Sequence, residues 1–86
     1  MKYRVLWSPQ AEERLESLLK TADDPQALVD AGREVDRLLL NDPNAFGESR
    51  YDTVRVGFAH PLGILFEVMD DVRTVIVFDL WRIDRK

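Results

Sequence analysis

Hydrophobic and polar positions alternate with two different periods in the first half of the chain. Over residues 2–7, aromatic and β-branched side chains occupy every second position, which predicts a half-buried strand. Apolar residues then recur every three or four positions, which predicts two amphipathic helices. We expect the first helix to begin at Pro9 after Ser8 and the second at Pro25 after Asp24, because both capping side chains can accept amide hydrogen bonds. The short connection between them predicts an antiparallel helical hairpin.

The second half of the chain returns to a period of two and predicts three strands. We place them at residues 50–58, 62–69 and 72–83. His60 precedes a proline, which cannot donate to a ladder, and therefore marks the first turn. Asp70 and the aspartate after it mark the second turn. Both faces of the last strand are mostly apolar, which predicts an interior position in the sheet.

These elements predict a single α+β domain with the order β-α-α-β-β-β. The helical hairpin is expected to cover one face of an antiparallel sheet and to leave the other face open. On the second strand, Val54, Val56 and Phe58 alternate with Arg55. If the three apolar side chains pack on the helices, Arg55 lies on the open face, with Tyr51 beside it. Function is expected on that open face.

Composition narrows the classes of protein that the chain can represent. Its 86 residues suit one domain, residues 1–86, and they include no cysteine and one histidine. A thiolate nucleophile, a cysteine-based zinc site and a multi-histidine metal cluster are therefore excluded, and no metal or cofactor is expected. The net charge of −4 disfavours non-specific binding to nucleic acid. No apolar run is long enough for a membrane span and the N-terminus does not resemble a signal peptide, so we expect a cytoplasmic protein.

Few residues offer chemistry. The four glycines are scattered, so no phosphate-binding loop is present, and no serine lies in a G-x-S-x-G context. His60 is the one candidate general base. Arg55 and Arg82 suit contact with phosphate or stabilisation of a charged transition state. The alternative is that arginines such as Arg55 pair across the sheet with Glu67 or Asp79.

Several segments resemble the RelE/ParE superfamily of type II toxin-antitoxin toxins. The resemblance spans nearly the whole chain and lies in patterns of fold more than of catalysis. It rests on residues 3–9 with Ala11 and Leu15, on residues 38–43 and 47–50, and on residues 54–56, 61–68 and 80–82.

The resemblance implies a small cytoplasmic toxin, of the kind found in plasmid-stabilisation modules, that a cognate antitoxin protein neutralises. RelE-like members cleave mRNA in the ribosomal A site without a metal, whereas ParE-like members poison DNA gyrase. By this resemblance Arg55 and Arg82 match basic residues that stabilise the phosphorane in RelE-like nucleases. Tyr51 or His60 would then handle the protons of an mRNA endoribonuclease.

The chain also departs from the nuclease pattern, which favours an alternative. Many RelE-like nucleases have an arginine that opens the third strand, where this sequence has Leu62 and Gly63. No tyrosine is present near the C-terminus, and the acidic balance is unlike that of the usually basic toxins. The alternative is a non-catalytic protein of the toxin fold that binds another protein through the open sheet face. Homodimerisation through the sheet edge or the helices is left open.

Overall fold

Two helices follow the first strand, and four further strands complete the fold. The computed structural model describes residues 2–83. Its elements are β1 Arg4–Trp7, α1 Pro9–Thr21, α2 Pro25–Asn41, β2 Glu48–Tyr51, β3 Val54–Ala59, β4 Leu62–Met69 and β5 Thr74–Arg82. A short 3-10 turn, Asp70–Val72, joins β4 to β5.

Both predicted helix starts are confirmed. The Ser8 hydroxyl accepts a hydrogen bond from the amide of Ala11 at 3.1 Å and donates one to the carbonyl of Phe78 at 3.0 Å. The Asp24 carboxylate accepts a bond from the amide of Ala27 at 3.4 Å. Each cap satisfies an amide that has no partner within its helix. The Ser8 cap also fastens the start of α1 to β5.

The five strands form one mixed sheet in the order β1-β5-β4-β3-β2. The α+β class, with a helical hairpin on one face of the sheet, is confirmed. One pairing differs from the antiparallel prediction, because β1 runs parallel to β5. Two parallel neighbours need a long connection between them, and all the elements from α1 to β4 supply it. The first and last strands are therefore direct neighbours, and β5 has the interior position predicted for it.

The predicted strand over residues 50–58 is two strands, β2 and β3. Asp52 has a φ of 49° and reverses the chain, so that Tyr51 pairs with Val54. Aspartate tolerates this left-handed conformation better than most residues do. A register shift between Ser49 and Tyr51 places one extra residue in β2. The period-2 pattern crosses the turn without interruption, which is why it predicted one long strand.

The hydrophobic core lies between the helices and one face of the sheet. Phe66 is fully buried at its centre, and Phe46, from the loop after α2, stacks on it with ring centroids 5.7 Å apart. The other buried apolar residues of the core include Ala11, Leu28, Val35, Leu39, Leu62, Ile64, Val68, Val75, Val77 and Leu80.

Strand β3 presents its faces in the opposite sense to the one expected. Arg55 pairs with Phe66, and directly paired residues share a face, so Arg55 lies on the helix side of the sheet. Phe46 covers Gly57 on that same side. Val54 and Val56 lie on the face away from the helices, outside the main core cluster. The expectation that Arg55 faces the open side is therefore wrong.

A bulge in β5 also changes which of its residues share a face. Leu65 pairs with Asp79 and Phe66 with Val77, so Phe78 is an extra residue on β5. After such an insertion the alternation of sides reverses. Leu80 accordingly joins Val77 in the core instead of lying on the opposite face.

Candidate functional site

The face of the sheet away from the helices carries an aromatic pair. Phe58 and Trp81 flank Gly63 across three adjacent strands. Their ring centroids are 6.4 Å apart at an interplanar angle of 83°, an edge-to-face arrangement. A Cβ atom on Gly63 would lie 2.6 Å from the Trp81 indole, so the glycine allows the indole to lie flat on β4. Phe58 remains 57% exposed.

We name this side of the sheet the open face and define it by Leu6, Val54, Phe58, Ile76 and Trp81. The charged side chain of Glu67 also lies on it, between Val54 and Ile76. Leu6 on β1 pairs with Ile76 on β5 and is 43% exposed. Val54 at the other side of the sheet is buried. Leu6 and Phe58 are thus the exposed apolar members of this face, and exposed apolar surface on small proteins commonly marks an interaction site.

His60 and Arg82 lie at one end of the sheet. Arg82 pairs with Leu62, directly after the turn that contains His60 and Pro61. The amide of Ile83 donates to the carbonyl of Pro61 at 2.7 Å, which fixes the end of β5 against this turn. His60 and Arg82 are both exposed. The structure therefore brings these two predicted site residues to the same end.

Tyr51 and Arg55 lie at the other end, on opposite faces. Tyr51 pairs with Val54 and is 65% exposed on the open face. Arg55 lies on the helix side, where its Nη2 donates to the carbonyls of Asn44 at 2.9 Å and Gly47 at 3.0 Å. Its buried Nε has no hydrogen-bond partner among residues 2–83. Arg55 thus anchors the loop between α2 and β2.

The four predicted site residues do not form one constellation. Residues 54 and 59 bound β3, and five steps of about 3.3 Å separate its ends by roughly 17 Å. Tyr51 and Arg55 are near the first end, whereas His60 and Arg82 are at the second. A general acid or base must come within hydrogen-bond reach of the group it serves. Proton transfer by Tyr51 and charge stabilisation by Arg82 therefore cannot act on one phosphate in this arrangement.

A polar network that the sequence did not indicate joins three parts of the fold. The Tyr3 hydroxyl donates to the carboxylate of Asp70, and the side-chain amide of Asn44 donates to the same oxygen at 2.9 Å. The Arg73 guanidinium lies 5.2 Å from the centroid of the Tyr3 ring. The hydrogen bond from Tyr3, and then that from Asn44, lowers the pKa of Asp70, and the bond to Asp70 raises the pKa of Tyr3. Through the Asn44 carbonyl this network continues to Arg55.

Neither a metal cluster nor a membrane helix is found in the described part of the chain. Over residues 2–83, no three histidine, aspartate or glutamate side chains are grouped so that they could hold a metal ion. None of the helices in this part is both long and apolar enough to cross a membrane.

The fold itself is shared with solved toxin structures. A RelBE2 toxin-antitoxin complex from Mycobacterium tuberculosis matches with a TM-score of 0.78 and 18% identity, over 95% of this chain and 99% of that one. A chromosomal ParDE system from P. aeruginosa matches at 0.69 and 16%, over 95% and 97%. The isolated E. coli RelE toxin matches at 0.68 and 12%, over 98% and 87%. The chain has the RelE/ParE toxin fold. No family model and no curated protein sequence matches it.

The likeness to the RelE/ParE toxin fold extends over nearly the whole chain. Each of these three matches covers at least 95% of this chain, so both the helical layer and the sheet belong to the shared architecture. The resemblance drawn from sequence patterns is confirmed at the level of fold. One fold can serve several functions, so the function of this chain depends on its own side chains, including those on the open face.

Proposed function

We propose that this protein is the toxin of a toxin-antitoxin pair and that a cognate antitoxin protein binds it. The observation that carries the proposal is the end-to-end match to toxin structures, two of which come from paired systems named RelBE2 and ParDE. Under this proposal the protein acts in the cytoplasm. When its genes are carried on a plasmid, the pair would stabilise that plasmid.

We further propose that the toxin acts by binding a protein target through the open face. Three features support binding over cleavage: the four candidate catalytic residues are dispersed, the net charge is −4, and the open face exposes the apolar side chains of Leu6 and Phe58. The Phe58–Trp81 pair is the natural centre of such an interface, because exposed aromatic residues supply much of the binding energy of protein contacts. DNA gyrase, the target of ParE-like toxins, is the first candidate to test.

Expression of the chain alone in a sensitive bacterium tests this function. We expect growth arrest, with intact mRNA, that is relieved by co-expression of the protein encoded beside it. Phe58→Ser should relieve the arrest, whereas Val72→Ser should not. Val72 is a matched control because it is also apolar and exposed, at 61%, but lies in the turn before β5. Normal growth with folded wild-type protein would contradict toxicity.

The second candidate is a ribosome-dependent mRNA endoribonuclease. The observation in its favour is that His60 and Arg82 share one end of the sheet, although Arg82, which pairs with the core residue Leu62, lies on the face opposite Phe58 and Trp81. In this role Arg82 would stabilise the phosphorane and His60 would transfer protons. New mRNA 5′ ends inside coding regions would establish cleavage.

Substitutions separate the two modes of action. If the protein cleaves mRNA, Arg82→Ala and His60→Ala should abolish the new 5′ ends. Arg55 and Tyr51 are the other candidate site residues from the sequence. If either acts directly in cleavage, its variant, Arg55→Ala or Tyr51→Phe, should lose cleavage without losing stability. If arrest persists without cleavage, the protein-binding mode is favoured. Light scattering of the purified chain would test the homodimer that the sequence left open.

A further inference from the structure

A groove of about 320 Å³ lies between α1 and α2, on the opposite side of the molecule from the open face. We name it the interhelical groove. Its apolar lining is Trp7 from β1, Leu15 and Leu19 from α1, and Val29 and Gly32 from α2. The volume is near the lower end of ligand pockets, about 300–1,000 Å³, so it suits a few side chains of a peptide.

Gly32 keeps this groove open. A Cβ atom built on Gly32 would meet no heavy atom within 4 Å other than its own helix backbone and chain neighbours. A glycine inside a helix commonly permits close contact with a neighbouring helix, but here α1 stays away from it. Glycine also costs about 1 kcal/mol relative to alanine in a helix interior. Gly32 is buried, yet a methyl group would meet no neighbour there, so the space beside it is free for an incoming side chain.

The rim of the groove is acidic. Glu12 and Glu16 lie on the α1 side, and Asp36 lies on the α2 side. Arg33 is the one basic residue of the lining. Asp36 accepts a hydrogen bond from the indole Nε1 of Trp7 at 2.8 Å, which holds its carboxylate at the edge of the apolar floor. An apolar floor with an excess of carboxylates at its rim complements apolar side chains flanked by cations.

We propose that the interhelical groove binds a basic amphipathic peptide segment of a partner protein. A helix with apolar residues at positions i, i+3, i+4 and i+7 would place them on the floor formed by Trp7, Leu15 and Gly32. Its lysines or arginines would face Glu12 and Glu16. The proposal goes beyond toxin activity, because the groove and the open face lie on opposite sides and can be occupied together. If the partner is the antitoxin, its bound segment carries positive charge.

Binding of a model peptide tests the charge and shape of the site directly. The probe is a synthetic amphipathic helix of leucine and lysine, about 15 residues long so that it can form a helix. The same peptide with glutamate in place of every lysine is the comparison. We expect the lysine peptide to shift the indole N–H resonance of Trp7 and to leave that of Trp81, on the open face, unchanged. Affinity should fall as salt is raised.

Variants then test the two features separately. Gly32→Leu should place its side chain in the groove, where a Cβ atom has no neighbour within 4 Å, and abolish binding, with a thermal melt to confirm that the variant folds. Glu12→Gln combined with Glu16→Gln should weaken binding by about two- to thirtyfold, since exposed ion pairs each contribute about 0.2–1 kcal/mol. Glu13→Gln is the matched control, because Glu13 is exposed on α1 but does not line the groove.

Three results would overturn the proposal. Equal binding of the lysine and glutamate peptides would remove the charge argument. Unchanged binding to folded Gly32→Leu would place the peptide elsewhere. A Trp7 shift that depends only on protein concentration would identify a second copy of this chain as the occupant. Because the assay uses purified protein, none of these results depends on whether the chain arrests growth.

Discussion

Single glycines in this chain serve different purposes, and their surroundings decide what a methyl group would do. At Gly57 a Cβ atom would lie 2.6 Å from the ring of Phe46, which is itself stacked on Phe66. At Gly32 the same atom would enter open space. Sequence alone does not distinguish the two, because both glycines sit within regular elements.

Alanine at these two positions should therefore act in opposite directions. Gly57→Ala is expected to lower the free energy of unfolding by about 1–3 kcal/mol, because the Phe46 ring must be displaced from the core. Gly32→Ala is expected to raise it by about 1 kcal/mol through helix propensity. Urea denaturation of both variants measures the difference. Equal destabilisation would mean that α1 closes on Gly32 in solution.

Arg55 shows why a candidate site residue can be found in sequence and still be assigned to the wrong face. Its alternation with Val54 and Val56 is visible in the sequence, but alternation does not say which of the two sets faces the helices. Pairing with Phe66 and the cover that Phe46 provides decide it, and both depend on contacts distant in sequence. His60 and Arg82 were likewise identified individually, whereas their common position follows from the pairing of β4 with β5.

The contacts of Arg55 predict a structural effect for its removal. Arg55→Ala should lower the free energy of unfolding by about 1–3 kcal/mol, because it leaves the carbonyls of Asn44 and Gly47 without their charged donor. Arg50→Ala, at an exposed position of β2, is the control and should change stability little. Chemical denaturation checks both. A loss of activity in Arg55→Ala with unchanged stability would instead support a direct functional role.

At the scale of elements, the helices were predictable because their signals are local. The start of α1 is marked by two adjacent residues, Ser8 and Pro9. The start of α2 is marked in the same way by Asp24 and Pro25. Strand boundaries were less visible, since the turn at Asp52 preserves the period of two. The bulge at Phe78 could not be predicted either, because β5 is mostly apolar and an extra residue does not visibly change its pattern of apolar and polar positions.

The two helix caps should differ in strength. Ser8→Ala is expected to lower the free energy of unfolding by about 1–2 kcal/mol, since it removes a cap and a bond that joins α1 to β5. Asp24→Ala should cost about 0.5 kcal/mol, because its exposed bond at 3.4 Å is long. Thermal unfolding of the two variants ranks them. A larger loss for Asp24→Ala would show that the Ser8 contact to β5 contributes little.

At the scale of the whole molecule, sequence patterns could not predict that β1 pairs with β5. β1 and β5 lie at the two ends of the chain, and nothing in either strand specifies a parallel partner. Next to the paired strands β1 and β5, Asp70 in the turn before β5 accepts hydrogen bonds from two other segments. Tyr3, just before β1, donates one, and Asn44, in the loop after α2, donates the other. The network thus connects the ends of the fold.

Because of this network, part of the free energy of unfolding depends on pH, and it is lost in strong acid and in strong base. The folded-state pKa of Asp70 lies below its ordinary value of 3.8, chiefly because Tyr3 donates to it. Its contribution is therefore present above about pH 4 and is lost as the pH falls through the folded-state pKa. The pKa of Tyr3 lies above its ordinary value of 10.0, so its contribution is lost as the pH rises beyond that value.

Tyr3→Phe should accordingly be less stable than the wild type at neutral pH, and the difference should shrink in acid. We expect this from urea denaturation at about pH 7, 5 and 3, because protonation of Asp70 removes the charged acceptor that Tyr3 uses. Tyr51→Phe, at an exposed tyrosine on β2, should show no such trend. A difference between wild type and Tyr3→Phe that stays constant with pH would mean that ring packing against Arg73, and not the carboxylate of Asp70, is what Tyr3 contributes to the junction of β1 and β5.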